Sequence, residues 1–362
     1  MKKLEPKFFI TCGIIIAVPI LFMIIMFAAR GCSGESSYSS YQDTMVKYSK
    51  TYAKKHKMLP KKGKSVILKL SDLVTDGMKS ADKALKDSSC SGSVEIRNNS
   101  NDISDDKLYS YIPYLECDKY KTEYIKDYLL KSVVTSESGL YKIGDEYVFK
   151  GNKVNNYVSF YDVIYRIIKI DENGILKLIK ENPEKLSYRW DSKYNVDFKK
   201  YSGVNNYYDS IIKDRLVEDY KNDKQLSIDA KSKIIPYSVC VGKRAINDVN
   251  VNITSECTTK LDNQVISLPS ITDFTGASYD SNCKEIGSLS CTNYNYLSSF
   301  IDYTWTLDTV NEDTSKVYYL SAQGPELDTA SKIMKYNWVI YIDGDELYNG
   351  GDGSEKNPYI IK

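Results

Sequence analysis

The sequence predicts an α+β fold in three parts: an N-terminal transmembrane helix, a small disulfide-tied α+β module, and a larger α+β domain of mostly antiparallel short strands. Three observations predict it. The stretch Phe8–Ala29 (FFITCGIIIAVPILFMIIMFAA) carries no charge, and at ~1.5 Å per residue it spans a ~30 Å hydrocarbon core. Six of the 8 cysteines, namely Cys90, Cys117, Cys240, Cys257, Cys283 and Cys291, lie far beyond that stretch. An even number in an exported region points to disulfides. The rest of the chain alternates short β-branched and aromatic runs with turn residues, and has few helical repeats. The domain boundaries that follow are 1–34 for the cytoplasmic tip, anchor and neck, 35–131 for the small module, and 140–362 for the larger domain.

Lys2, Lys3 and Lys7 precede the apolar run and only Arg30 follows it closely. That bias expects a single-pass cell-membrane protein with a cytoplasmic N-terminus and an extracellular bulk, held in the lipid bilayer through residues 8–29. A cleaved signal and a lipoprotein box at Ala29–Cys32 are the rivals. The length of the run and Arg30 beside the cleavage position favour an uncleaved anchor. Pro19 sits mid-span, where it can kink the helix.

Setting aside Lys2, Lys3, Lys7, Arg30 and Glu5, the chain holds 45 basic and 47 acidic residues, interleaved. No basic stripe is present, so no nucleic-acid partner is expected. The 32 Tyr and 9 Phe suit recognition surfaces, since the phenol ring offers rigid area and a polar handle. The blander account is that most tyrosines fill strands. Sequence proximity favours the pairs Cys90–Cys117, Cys240–Cys257 and Cys283–Cys291. A metal site is disfavoured by the lack of any CxxC and by a lone histidine, His56, in a Lys-rich segment.

The elements run in order. Residues 31–40 (GCSGESSYSS) have neck composition. Tyr41, Met45, Tyr48 and Tyr52 have helical spacing, with Ser39 or Ser40 as cap, and residues 60–63 (PKKG) end the helix. Val66–Leu68 is strand-like or leads into a short helix capped by Ser71 and closed at Gly77. Cys90–Arg97 and Leu108–Cys117 read as two antiparallel strands tied by their cysteines. Residues 122–131 form a short helical connection, and 132–139 (SVVTSESG) have boundary composition. Val163–Ile170 and Ile175–Ile179 flank the turn 171–174 (DENG) as the clearest hairpin. Asp209 or Ser210 caps a helix carrying Ile211, Ile212, Leu216, Val217 and Tyr220. Ile234–Val239 is a strand, and 267–274 (SLPSITDF) turns into a short helix. Thr304–Leu307, Val317–Leu320 and Trp338–Ile342 are late strands, followed by a Gly-rich turn and a last strand near Ile361.

Two resemblances follow from these pieces. The apolar run, the Tyr-bearing helix, CSGSV at 90–94 and YIPYLEC at 111–117 resemble a small extracellular module of surface proteins from low-GC Gram-positive and related bacteria. The layout is loosely similar to a type IV pilin or pseudopilin, although the run lacks the Gly-Phe cleavage site and the early Glu of that family. Residues 140–362 resemble a bacterial domain family of unknown function. The marks are Tyr165-Arg166-Ile167 with its hairpin, the helix 209–220, LPSITD at 268–273, YTWTL at 303–307, and WVIY at 338–341 with the Gly-rich close. That family is similar to C-type-lectin-like and formylglycine-generating-enzyme-like folds. The resemblance implies a binding scaffold on an exported protein and brings no catalytic residue.

Other chemistry is weak in the sequence. Asp343, Asp345, Glu346 and Asp352 offer oxygens of the kind Ca²⁺ prefers, but in no EF-hand spacing, and Asp-Gly pairs are ordinary turns. Trp305 and Trp338 could form a sugar platform, yet both sit in strand-like runs that suit a core. His56 has no nucleophile near it in sequence. Asn98 and Asn252 match the glycosylation pattern and read more simply as polar loop residues. The expectation is a non-catalytic binding or adhesion module on the cell surface, with a glycan, protein or envelope ligand and no cofactor or metal. The alternatives are a pilin-like structural subunit and an exported enzyme of unknown class.

Overall fold

Hydrophobic spacing of two residues in the strands and about four in the helices sets the architecture seen in a computed structural model of the chain. The structure describes residues 35–87, 89–98, 109–184, 186–251 and 253–362. These form two compact units. Among the described residues, one takes 35–98 together with Tyr111–Thr122, and the other takes Glu123–Lys362.

In the first unit, helix α1 (Glu35–Lys55) starts several residues before Ser39, where the sequence placed its cap. Tyr41, Met45, Ser49 and Ala53 form its buried stripe, as spacings of four require. Strands β1 (Ser65–Lys69), β2 (Ser91–Asn98), β3 (Tyr109–Cys117) and β4 (Tyr120–Lys121) make a sheet in that order. Two short helices, α2 (Leu70–Thr75) and α3 (Ala81–Leu85), join β1 to β2. The Gln42 amide donates to Thr122 Oγ1 at 2.7 Å and accepts from the Tyr120 hydroxyl at 2.7 Å, so α1 is tied to the far edge of the sheet. Cys90 and Cys117 are joined across β2 and β3.

The second unit opens with helix α4 (Ile125–Leu130), whose Ile125 and Leu129 lie in this unit's core. Its main sheet takes β5 (Gly139–Ile143), β6 (Glu146–Lys150), β7 (Tyr157–Phe160), β8 (Val163–Ile170) and β9 (Ile175–Lys180). The hairpin β8–β9 turns at Gly174, which has φ +79°. Strands β10 (Tyr188–Arg189) and β17 (Ile333–Met334) pair with each other, as do β11 (Tyr237–Cys240) and β13 (Lys260–Gln264). A second sheet has the order β12 (Lys243–Arg244), β14 (Thr304–Val310), β15 (Lys316–Ser321), β16 (Gly324–Thr329). Strand β18 (Val339–Asp343) lies against β9 on the main sheet, and β19 (Tyr359–Ile361) lies against β7. Among the described pairings, β12–β14 and β7–β19 are parallel. Helices α5 (Ile211–Asn222), α6 (Ile228–Lys233), α7 (Ile253–Glu256) and α8 (Ile271–Ala277) lie between strands in sequence. Ser210 caps α5, one of the two caps the sequence offered.

The expected fold class needs a correction. Among the described residues no helix is long and apolar enough to cross a membrane, and the apolar run 8–29 lies outside the described residues. The 21-residue α1 has the length, but Asp43, Lys47, Lys50, Lys54 and Lys55 place charge along its exposed side. The fold shown is α+β with mostly antiparallel strands, and no transmembrane helix is among its described residues.

Candidate functional site

The segment between β10 and α5 runs irregularly from Trp190 to Asn206 and then makes one 3-10 turn, Tyr207–Asp209, and irregular connections of this length usually have a task. Its feet are set in the core. Trp190 is fully buried, its indole N–H donates to the Thr306 carbonyl at 3.0 Å, and its own carbonyl accepts from Ile212 N at 3.0 Å. Tyr207 packs against that indole with ring centroids 5.9 Å apart.

Three buried polar side chains then hold the path between the feet. Asp191 accepts from Lys193 N at 3.2 Å and Val204 N at 2.8 Å, pinching the loop at its base. Asn195 donates to the Gly203 carbonyl at 2.9 Å and accepts from Asp197 N and Phe198 N at 3.1 and 3.3 Å. Asn205 donates to the carbonyls of Val310, Asp313 and Lys316 at 2.8–3.0 Å, and its oxygen accepts from Lys243 Nζ at 2.9 Å. Gly203 has φ +80°, and a Cβ there would meet the Asp191 carbonyl at 2.7 Å and Ala330 at 2.8 Å. The tip is a turn over Val196–Lys199, closed by Asn195 N donating to the Lys200 carbonyl at 2.8 Å.

This ordered loop turns apolar groups outward. Relative exposures are 47% for Tyr194, 76% for Val196, 42% for Phe198, 76% for Tyr201 and 63% for Tyr208. Tyr194 and Tyr201 meet edge to face at 5.3 Å. Lys200 sits over the Phe198 ring at 5.8 Å, and Lys213 over Tyr208 at 4.7 Å. Buried polar anchors beneath exposed aromatic side chains make a preorganised contact surface, chemistry suited to binding rather than bond breaking.

The residues singled out in the sequence fall elsewhere. The structure joins Cys90 to Cys117, Cys240 to Cys257 and Cys283 to Cys291, the pairs that proximity favours. Asp87 lies beside Cys90 and Cys117, but both sulfurs are taken by their disulfide. The C-terminal acids are engaged with other groups: Asp343 accepts from Asp345 N at 2.9 Å, Asp345 pairs with Lys126 at 2.9 Å, Glu346 with Lys233 at 2.7 Å, and Asp352 accepts from Ser354 N at 2.9 Å. Trp305 and Trp338 are buried in the core, which removes the sugar-platform role. His56 stands 3.3 Å from Asp76 on the first unit. Asn98 is buried and donates to the Pro60 carbonyl at 3.0 Å, while Asn252 lies outside the described residues. Arg166 stacks on Tyr157 at 3.7 Å with its Nε bonded to Asn156 at 2.7 Å, a packing role inside the main sheet.

One buried cluster went unnoticed in the sequence. Arg244 reaches Asp308 at 3.2 Å, Thr272 Oγ1 at 2.8 Å and Glu256 through a charge-assisted bond. Those two carboxylates also accept from the first amides of α8: Asp308 from Ile271 N at 2.7 Å and Glu256 from Thr272 N at 2.9 Å. Burial, with the charge of Glu256 added, pushes the Asp308 carboxyl well above the usual range despite Arg244. Burial also works to raise Glu256, but Arg244 and the hydrogen bonds outweigh it and the net shift is downward. Every group in the cluster is partnered, so it caps a helix rather than awaiting a substrate. Compared with known proteins, the chain matches no family model, no curated protein and no solved structure.

Proposed function

We propose that the protein is a non-catalytic binding module that works outside the cytoplasm, with the loop between β10 and α5 as its recognition surface. The observation that carries this reading is the contrast within that loop: Asp191, Asn195 and Asn205 are buried and bonded, while Tyr194, Val196, Phe198 and Tyr201 face solvent. Large apolar side chains held outward on an ordered backbone bind without a large ordering cost. The three disulfides support an oxidising compartment. An oxidase reading would ask for free thiols among Cys240, Cys257, Cys283 and Cys291, and these are paired. The lectin-like resemblance of residues 140–362 belongs to the same proposal, as does a ligand in the cell envelope.

The test is hydroxyl-radical footprinting of the full chain, purified and in isolated cell envelopes. Tyr194 and Tyr201 should label readily in the purified chain and be protected several-fold in envelopes. The buried Tyr207 should stay unlabelled in both. Equal labelling of Tyr194 and Tyr201 in the two states would remove the loop as the binding surface.

A further inference from the structure

The composition of the loop tip says what kind of partner it fits, and this step rests on the loop being the contact surface. From Lys193 to Tyr201 the tip carries Lys193, Lys199 and Lys200 against the single acid Asp197, in a chain whose formal net charge is +1. The Asp197 carboxylate accepts from Thr314 Oγ1 at 2.6 Å, which leaves its charge directed at the base of the loop. Val196 is as exposed as Tyr201, and it is an aliphatic side chain that offers a sugar neither a stacking face nor a hydrogen bond. Beside it stands Phe198, and flanking both are the amphipathic rings of Tyr194 and Tyr201. Aliphatic and phenyl groups at the apex, phenols at the sides and lysines around them match the depth order of a membrane interface.

The backbone of the tip agrees. Asp197 N and Phe198 N both donate to Asn195 Oδ1, and Asn195 N donates to the Lys200 carbonyl. An apex entering the headgroup boundary loses water from its amides, and here those of Asp197 and Phe198 have a partner inside the loop. We propose that the 194–201 tip docks on an anionic bilayer surface, inserting Val196 and Phe198 at headgroup depth, with Lys199 and Lys200 meeting lipid phosphates.

The test places a reporter at the apex of the full chain. Phe198→Trp adds an indole whose signal is local, since Trp190, Trp305 and Trp338 are buried in the core. The variant is mixed with phosphatidylglycerol vesicles whose acyl chains carry bromine, and with brominated phosphatidylcholine vesicles. Docking predicts a blue shift and quenching of the added emission on the anionic vesicles. Removing Lys199 and Lys200 as serines in the same background should weaken this by about fivefold per lysine, and raised salt should act in the same direction. Emission that stays water-like on both vesicle types overturns lipid docking. If Tyr194 and Tyr201 are nonetheless protected in envelopes, the recognition loop stands and its partner is a protein or glycan. If they are not protected either, the loop reading falls with it.

Discussion

At the residue scale, Tyr207 and Tyr208 show where local reading stops. They are adjacent and identical, yet Tyr207 is buried against Trp190 and Tyr208 is 63% exposed. Nothing within the dipeptide separates them; their direction is set by Asn205 and Ser210 on either side, which are buried and bonded. Asn205 is the stronger of these anchors, because its amide group serves the carbonyls of Val310, Asp313 and Lys316 at once. Asn205→Ala should therefore lower stability by about 1–3 kcal/mol through the loss of these bonds. Denaturant unfolding checks this, together with amide exchange in the loop, which should speed up while the main sheet stays protected. A loss well under 1 kcal/mol would mean that the loop is held by its feet alone.

At the scale of elements, legibility follows the distance between partners. The β8–β9 hairpin is written in consecutive residues, with apolar runs on either side of Asn173-Gly174, and it forms as read. The cap of α8 is equally local: Ser270 accepts from Asp273 N at 3.1 Å and Asp273 returns the bond to Ser270 N at 2.8 Å. The cysteines pair with near neighbours, so proximity was enough for them too. The second layer of capping on α8 has no such signal, because Arg244 comes from β12, Glu256 from α7 and Asp308 from β14, 64 residues beyond Arg244. The loop between β10 and α5 carries no sequence signal for a related reason. Its pattern has no period, and the buried asparagines that order it look like ordinary turn residues. Arg244→Met tests the cluster. Removing the guanidinium leaves two buried carboxylates beside each other at a helix N-terminus and should cost about 3–5 kcal/mol in denaturant unfolding. Arg244→Lys should recover little of this, since an ammonium cannot span Asp308, Glu256 and Thr272 together.

At the scale of the whole molecule, the tyrosines couple stability to alkaline pH. Burial raises the Tyr41 phenol from 10.0 to about 12, with a smaller contribution from Asp82, and its hydroxyl donates to the Lys79 carbonyl at 3.0 Å. In the second unit burial does the same to Tyr359, raised to about 12 with help from Tyr128 and Asp352, while its hydroxyl donates to the Asn155 carbonyl at 3.2 Å. Each phenol is neutral and bonded when folded, and an ionised phenolate would lose its donor and sit in an apolar environment. The sign follows from linkage. A folded pKa above the unfolded value near 10 leaves stability unaffected below about pH 10 and removes it as pH rises toward 12. Both units carry such a residue, so both should weaken over the same interval, although no acid-side loss is expected from these groups. The check is a phenolate absorbance titration run beside circular dichroism. A first fraction of the phenols should ionise reversibly with no change in fold. The late fraction should ionise together with loss of structure, and Tyr41→Phe should shift the alkaline midpoint of the first unit upward. Smooth ionisation of every tyrosine near 10 with the fold intact would show that burial does not hold these phenols neutral.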